Sequence, residues 1–442
     1  KIDPRRIQIL SNSNNHFKYY YMKKLSAFLK TYEIPWAITV LVGVCILFMF
    51  AEIINHRFWM SDFEVYYKSA DRLLRGENLY RIVADGHYIF KYSPTSAALF
   101  IPFLVLPFGI AKIVYWLLLT FLVATGFILC IKIIEPSLIE NPKHNYVNLI
   151  MLLALLTLAI HFMRELHLGQ VNYLLLFMYI WCVYLYKQKK SILFALLLAI
   201  TIFIKPFTII FIPFLLLKKK YYEMALFSGF MLVLFLVPFL FYGSVSTTLG
   251  QYQMWINELL VELSHKQGLL DNANHTVFSV FARYTPVRFL VGNITFDKIY
   301  QLMMLGIIAL LFIWFTRIKD SNCSAEQKEY NFFIEFSLLV ACIPLLAFTS
   351  ENAFIYTQML VFIILLNFKN LRMFEKILAI LGFVFIGGNF GEMLGRSLSK
   401  TINDISLISI GTLILIYLLF ALRIQGKLAL ESDQKPFLQN KD

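Results

Sequence analysis

The chain has 442 residues, of which 59% are hydrophobic, 17% aromatic and only 15% charged, with a mean hydropathy of +0.68. Soluble domains carry about 25% charged residues, which excludes an ordinary water-soluble protein. Apolar runs of roughly 17–25 residues, enough to cross a bilayer core, recur from Trp36 to Leu422. The net charge of +13 would suit a nucleic-acid partner, but its distribution excludes one.

The segment Lys1–Glu33 is polar and basic and precedes the first apolar stretch, so no cleavable signal peptide is expected. Membrane spans are predicted at about 34–54, 110–131, 146–162, 170–186, 190–203, 207–217, 222–242, 299–316, 333–349, 353–367, 373–388 and 404–423. The chain is thus an all-α polytopic membrane protein of about twelve helices. Spans 190–203 and 207–217 are short and flank Lys205-Pro206, which predicts a broken or tilted pair. The apolar stretch 93–108 is interrupted by Pro94, Pro102 and Pro107 and reads as a surface or re-entrant helix.

With the N-terminus inside, 25 of the 40 Lys and Arg fall in cytoplasmic segments and 14 in external ones. That asymmetry obeys the positive-inside rule and places both termini in the cytoplasm. The basic excess is a topology signal and an attraction to anionic lipid. The domain division follows: a cytoplasmic N-terminus over 1–33, a single membrane domain over 34–423 and a cytoplasmic tail over 424–442. Cys45, Cys130, Cys182, Cys323 and Cys342 lie in apolar spans or an inner loop, so neither an external disulfide framework nor a zinc site is expected.

Two external segments, about 55–92 and 243–298, are too long for simple turns and rich in aromatic residues, so they are expected to be ordered and functional. In the first, Ser61-Asp62-Phe63-Glu64 has the form of a capping box. Phe63, Tyr66, Tyr67, Ala70, Leu73 and Leu74 then recur at helical spacing before Gly76. The pattern predicts an amphipathic juxtamembrane helix on the outer membrane surface. Asp62 in its first turn either decorates a helix N-terminus or acts as a general base at the interface.

The residues Asp62-Phe63-Glu64-Val65-Tyr66-Tyr67, Leu73-Leu74-Arg75-Gly76, Leu79-Tyr80 and Tyr92-Ser93-Pro94 resemble the opening signature of glycosyltransferase family 87. That family has the GT-C superfold and the pattern D-F-x-V-Y-Y, L-L-x-G-x-x-L-Y, Y-x-Y-P-P. Ser93 replaces the first proline. The resemblance extends over about residues 60–365 and implies a GT-C-like catalytic domain with Asp62 as catalytic base. Gly169-Gln170-Val171-Asn172 matches the family's G-Q-x-N, and Lys205-Pro206 its K-P. Asn274-His275-Thr276 through Arg283 is similar to an N-x-S…R stretch, with His275 where Gln is common. The segment Thr349–Phe354 departs from its family counterpart, and Glu351 enters from it as a weaker candidate.

Arg164, Glu165, His167, Gln170 and Asn172 interrupt an apolar run, where charges are costly and usually functional. Arg164 alternatively forms an internal salt bridge with Glu165 or another carboxylate, and Lys205 alternatively snorkels to the interface. With the resemblance, Arg164, His167, Gln170, Asn172, Lys205, Asn274, His275 and Arg283 are expected to bind the donor's phosphate and sugar.

The expected activity is inverting transfer of a hexose, mannose by the resemblance, from a polyprenyl-phosphate-linked sugar to a lipid or glycan acceptor. The expected setting is the outer face of a bacterial cytoplasmic membrane. No D-x-D motif or Gly-rich nucleotide fold occurs, so no metal, cofactor or nucleic-acid partner is expected. Membrane lipids are the remaining partners. The alternatives are a lipid-linked saccharide flippase or transporter, weakened by the lack of internal repeats, and an oligosaccharide ligase or polymerase. The topology is checked by cysteines placed at Asn78 and Gln267, which should react with a membrane-impermeant maleimide in intact cells. Labelling only after permeabilisation overturns it.

Overall fold

The computed structural model describes residues 35–135, 138, 144–264, 268–272, 274–318 and 324–428. The expected N-terminal segment 1–33, the tail beyond 428 and Cys323 lie outside the described residues. Every regular element among the described residues is helical. The chain runs through α1 (Trp36–Ile54), α2 (Ser61–Leu74), α3 (Pro94–Ala98), α4 (Phe108–Ile134), α5 (His144–Leu168) and α6 (Asn172–Lys187). It continues with α7 (Ser191–Ile204), α8 (Phe211–Leu217), α9 (Tyr221–Leu236), α10 (Phe239–Tyr242), α11 (Val245–Ser264) and α12 (Val277–Tyr284). The last third holds α13 (Ile294–Arg317), α14 (Ala325–Leu346), α15 (Gln358–Leu366), α16 (Met373–Gly387), α17 (Gly391–Asp404) and α18 (Leu407–Ile424).

Each expected span coincides with a helix. Among the described residues seven helices are long and apolar enough to cross a membrane: α1, α4, α5, α9 extended to Tyr242, α13, α14 and α18. The other expected spans fall on shorter helices, including Ser191–Ile204, Pro206–Leu217 and Glu351–Leu366. The expected break between α7 and α8 is present. Lys205 is extended at φ −140°, ψ 130°, as the residue before a proline should be, and Pro206 opens a 3₁₀ turn to Ile210. The proline-interrupted stretch also breaks as expected, into α3 and a 3₁₀ turn over Ile101–Val105.

The helix after α1 has the expected bounds but not the expected cap. Met60 is its N-cap, in left-handed backbone at φ 49°, ψ 49°, and Ser61 is already helical and makes no side-chain cap. The capping box cannot close, because Glu64 sits one position too late and instead pairs with Lys68 at 2.8 Å. At the other end Gly76 (φ +69°) supplies the left-handed stop, with Glu77 N–H donating to Arg72 O at 2.9 Å.

The apolar face of α2 was expected on the membrane surface, but it is covered by protein. Phe63 stacks on Tyr115 at 4.3 Å and meets Phe103 edge-on at 5.3 Å, while Tyr66 lies 4.8 Å from Phe100. Fully burying such a ring is worth about 1.5–3 kcal/mol, so α2 is fixed to the broken α3 segment and α4.

The second long segment, 243–298, is mostly helical and braces the first. Gln251 on α11 accepts from Leu79 N–H at 3.2 Å, Glu258 takes two hydrogen bonds from Arg81 at 2.5 and 3.0 Å, and Tyr252 O–H meets Thr95 Oγ1 at 2.7 Å. The two segments thereby form one cap over one end of the bundle. Toward the other end the fully buried Glu335 lies 2.7 Å from Lys218 and 2.9 Å from Arg423, tying α8, α14 and α18. Removing one member of such a group leaves a buried charge, which is the costly event.

Helices α5 and α16 approach backbone to backbone at Gly387, where a Cβ would lie 2.3 Å from Thr157 O and 2.8 Å from Thr157 C. Backbone cannot yield as a side chain can. Gly387→Ala should therefore force the helices apart and cost about 1–3 kcal/mol, read as a lowered thermal midpoint in detergent. An unchanged midpoint would rule out so close an approach.

Candidate active site

The site begins at the turn between α5 and α6. Gly169 (φ +69°) makes that turn, with Gly169 N–H and Gln170 N–H donating to Glu165 O at 2.9 and 3.1 Å. A side chain at Gly169 would meet Phe63 Cβ at 2.8 Å. The turn therefore abuts the start of α2, and Asp62 comes beside Gln170.

Val171, the N-cap of α6, offers no capping side chain. Glu165 takes that role from the preceding helix. Its Oε2 accepts from Tyr173 N–H at 3.2 Å and its Oε1 from Asn172 Nδ2 at 2.7 Å. Asn172 Oδ1 in turn accepts from Lys205 Nζ at 2.6 Å. Gln170 Oε1 accepts from Asn172 Nδ2 at 2.8 Å and from Asn352 Nδ2 at 3.3 Å, and the Gln170 side chain lies beside Asp62, near enough to favour its ionised form. Three separate chain segments thus meet in one continuous hydrogen-bonded set running from Lys205 to Gln170 and Asn352, and Asp62, on a fourth, lies beside its Gln170 end.

Burial pushes the Asp62 carboxyl above the ordinary aspartate range, partly offset by the Gln170 amide beside it and by the charges of Lys205 and Lys91. Desolvation outweighs the favourable influences there. Lys205 Nζ lies 5.9 Å from the Tyr92 ring and 5.7 Å from the Phe207 ring. Tyr92 O–H meets Tyr66 O–H at 3.1 Å, and Ser93 N–H donates to Phe203 O at 3.2 Å, anchoring the first long segment to the end of α7.

The other candidates assemble into neighbouring groups. Arg164 pairs with Glu351 at 2.5 Å, which is the internal salt bridge that sequence left open, with Glu351 as its carboxylate. Glu351 also lies 3.8 Å from His275 Nε2, and His275 Nδ1 meets Ser406 Oγ at 2.8 Å. Arg283 donates to Asp404 O, Asn274 O and Ser406 Oγ. Asn274 Oδ1 accepts from Thr276 N–H and O–H. Arg283 therefore holds the second long segment against the start of α18, while the Asn274 side chain bonds within that segment, to Thr276 and to Gly268 O. His167 turns away from this set to Glu52, 2.5 Å distant, beneath Trp59. Because Asn352 donates to Gln170, the Glu351–Asn352 step joins the Arg164 group to the Asp62 group.

The sequence alone assigned no place in the site to Tyr66 or Tyr92, though both stand in the family signature, and did not single out Asn352, Ser406 or Asn172 as the partner of Glu165. Glu165 was visible as a charge in an apolar run, but nothing local indicated that its carboxylate would cross the turn to Asn172.

A helical membrane protein that gathers a carboxylate, a lysine and several amides at one end of its bundle is equipped to hold a hydroxyl-rich, anionic ligand. The sequence profile of glycosyltransferase family 87 matches residues 90–350, more than half of the chain, and the protein belongs to that family. It is an integral membrane glycosyltransferase. No curated protein and no solved structure matches the chain. The matched segment contains Gln170, Asn172, Lys205, Asn274 and Arg283, while Asp62 lies before it and joins the site through Gln170.

The Gly169 contact makes a specific demand. Gly169→Ala adds a strained left-handed residue and a Cβ against Phe63, so it should cost about 1 kcal/mol or more and part Asp62 from Gln170. The check is thermal midpoint together with glycosyl transfer. Retention of both would place the turn further from α2.

Proposed function

We propose that the enzyme is an inverting hexosyltransferase that uses a polyprenyl-phosphate sugar, mannose being the favoured hexose, and a lipid or glycan hydroxyl as acceptor. The proposed site faces the outer side of a bacterial cytoplasmic membrane, with both chain termini in the cytoplasm. The single observation that carries this reading is the pairing of Asp62 with Lys205 through Gln170 and Asn172, at the end of the bundle where the long segments close over it. The basic asymmetry between loops supports the outer placement.

In this reading Asp62 takes the proton of the acceptor hydroxyl as its oxygen bonds to the anomeric carbon. The bond from that carbon to the donor phosphate breaks from the opposite face, and polyprenyl phosphate leaves with the electron pair. Lys205 stabilises the charge that develops on the phosphate, with Arg164 at the edge of the site. The Gln170, Asn172 and Asn352 amides and the Tyr92 ring suit sugar hydroxyls and a sugar face. No metal or cofactor enters this scheme.

Asp62→Asn removes the base but keeps its size and a hydrogen-bonding group, so turnover should fall about 10²–10⁴-fold with donor binding retained. The parent's activity should fall with decreasing pH through an Asp62 pKa above the ordinary 3.8. A carboxyl raised by burial weakens the fold when ionised, so the Asn variant should be at least as stable at neutral pH. Sugar transfer from polyprenyl-phosphate mannose, measured at matched expression, decides the point. Parent-level transfer by the variant would remove Asp62 from the mechanism.

A further inference from the structure

We infer that Glu165 is a positioning residue that fixes which way the Asn172 and Gln170 amides face, so that an oxygen is turned to Lys205 and an N–H to Asp62. This rests on the reading of Asp62 and Lys205 as the reacting pair. Glu165 is 1% exposed and Asn172 2% exposed, so neither exchanges its partners with bulk water.

The direction follows from donor and acceptor counting. A carboxylate only accepts. Glu165 Oε2 is committed to Tyr173 N–H, and Oε1 therefore requires the NH₂ side of Asn172. With its nitrogen held there and shared with Gln170 Oε1, Asn172 must present Oδ1 to Lys205. Gln170, accepting from Asn172 and Asn352 through its oxygen, has only its NH₂ left for Asp62. An N–H turned toward Asp62 favours its ionised form and leaves it an acceptor toward an incoming hydroxyl. One buried acceptor at Glu165 thus sets the polarity of two amides on either side of the site.

A purely structural role is the alternative, since Glu165 also caps α6. Glu165→Gln separates the two. An amide in place of the carboxylate has one oxygen, and the backbone N–H of Tyr173 cannot turn, so the oxygen stays with the cap. The new NH₂ then faces Asn172, which must rotate by half a turn to accept from it. Asn172 Nδ2 would then confront Lys205, and Gln170 would lose the nearer of the two donors that hold its oxygen away from Asp62, keeping only Asn352 at 3.3 Å. The cap survives while the polarity reverses.

The experiment compares parent, Glu165→Gln, Asn172→Ala and the double variant, each as full-length protein in detergent or nanodisc. The readings are thermal midpoint, kcat and KM for polyprenyl-phosphate mannose, and the position of Lys205 by cryo-EM. Glu165→Gln should lower the midpoint only by the cost of the Lys205 contact it breaks, leaving the protein folded at the assay temperature, and should lower kcat about tenfold or more. Lys205 Nζ should move beyond about 3.2 Å from Asn172. In the Asn172→Ala background the same substitution should have no further effect on kcat, because the residue through which it acts is gone. Additive losses, a fall in midpoint that accounts for the lost activity, or Lys205 unmoved in the variant would each overturn the assignment. If the parent transfers no sugar from this donor, the donor reading falls, and the position of Lys205 alone decides for Glu165.

Discussion

A lysine and a glutamate lie in the apolar end of this bundle, joined through one asparagine amide, and the surrounding structure is arranged around satisfying them. Lys205 is free to reach Asn172 because Pro206 ends α7 and leaves residue 205 extended. Glu165 is free to reach Asn172 because Gly169 turns the chain back over the end of α5. An unpaired charge in such surroundings would be expensive, so the two breaks in helix and the amide between them form one solution to one constraint.

The same economy explains why the long segments pack down instead of remaining open loops. Hydrogen bonds between α11 and Leu79, Arg81 and Thr95 hold the first segment, and Arg283 with Ser406 holds the second. Each joins residues far apart in sequence, so the positions of Asp62 and of the Arg164–Glu351 group depend on the whole cap. Glu351 and Asn352, adjacent in the chain, face the two groups separately and connect them through the Gln170 amide. A change in the Arg164 group therefore has a direct covalent and hydrogen-bonded route to Asp62.

Much of the fold was legible because the bilayer imposes it. Runs of apolar residues must become helices when no water is present to satisfy the backbone, and the expected spans lie on helices from Trp36 to Ile424. Proline at 206 and in the 94–107 stretch marked the breaks, since a ring without an N–H has the same local consequence wherever it falls. The capping box failed on a single-residue shift, because Met60 adopts a left-handed conformation that no local pattern announces.

By itself the sequence determined the class of fold, the family motifs and the residue types Asp62, Gln170, Asn172 and Lys205, since these follow from hydropathy, spacing and local chemistry. Only the tertiary structure decided who meets whom. It paired Arg164 with Glu351, turned His167 to Glu52, engaged Arg283 and Asn274 in scaffolding and set Glu165 at the centre of the amide set. The reason is that a buried polar group takes the partner that packing places within about 3 Å, and in a bundle that partner is seldom near in sequence.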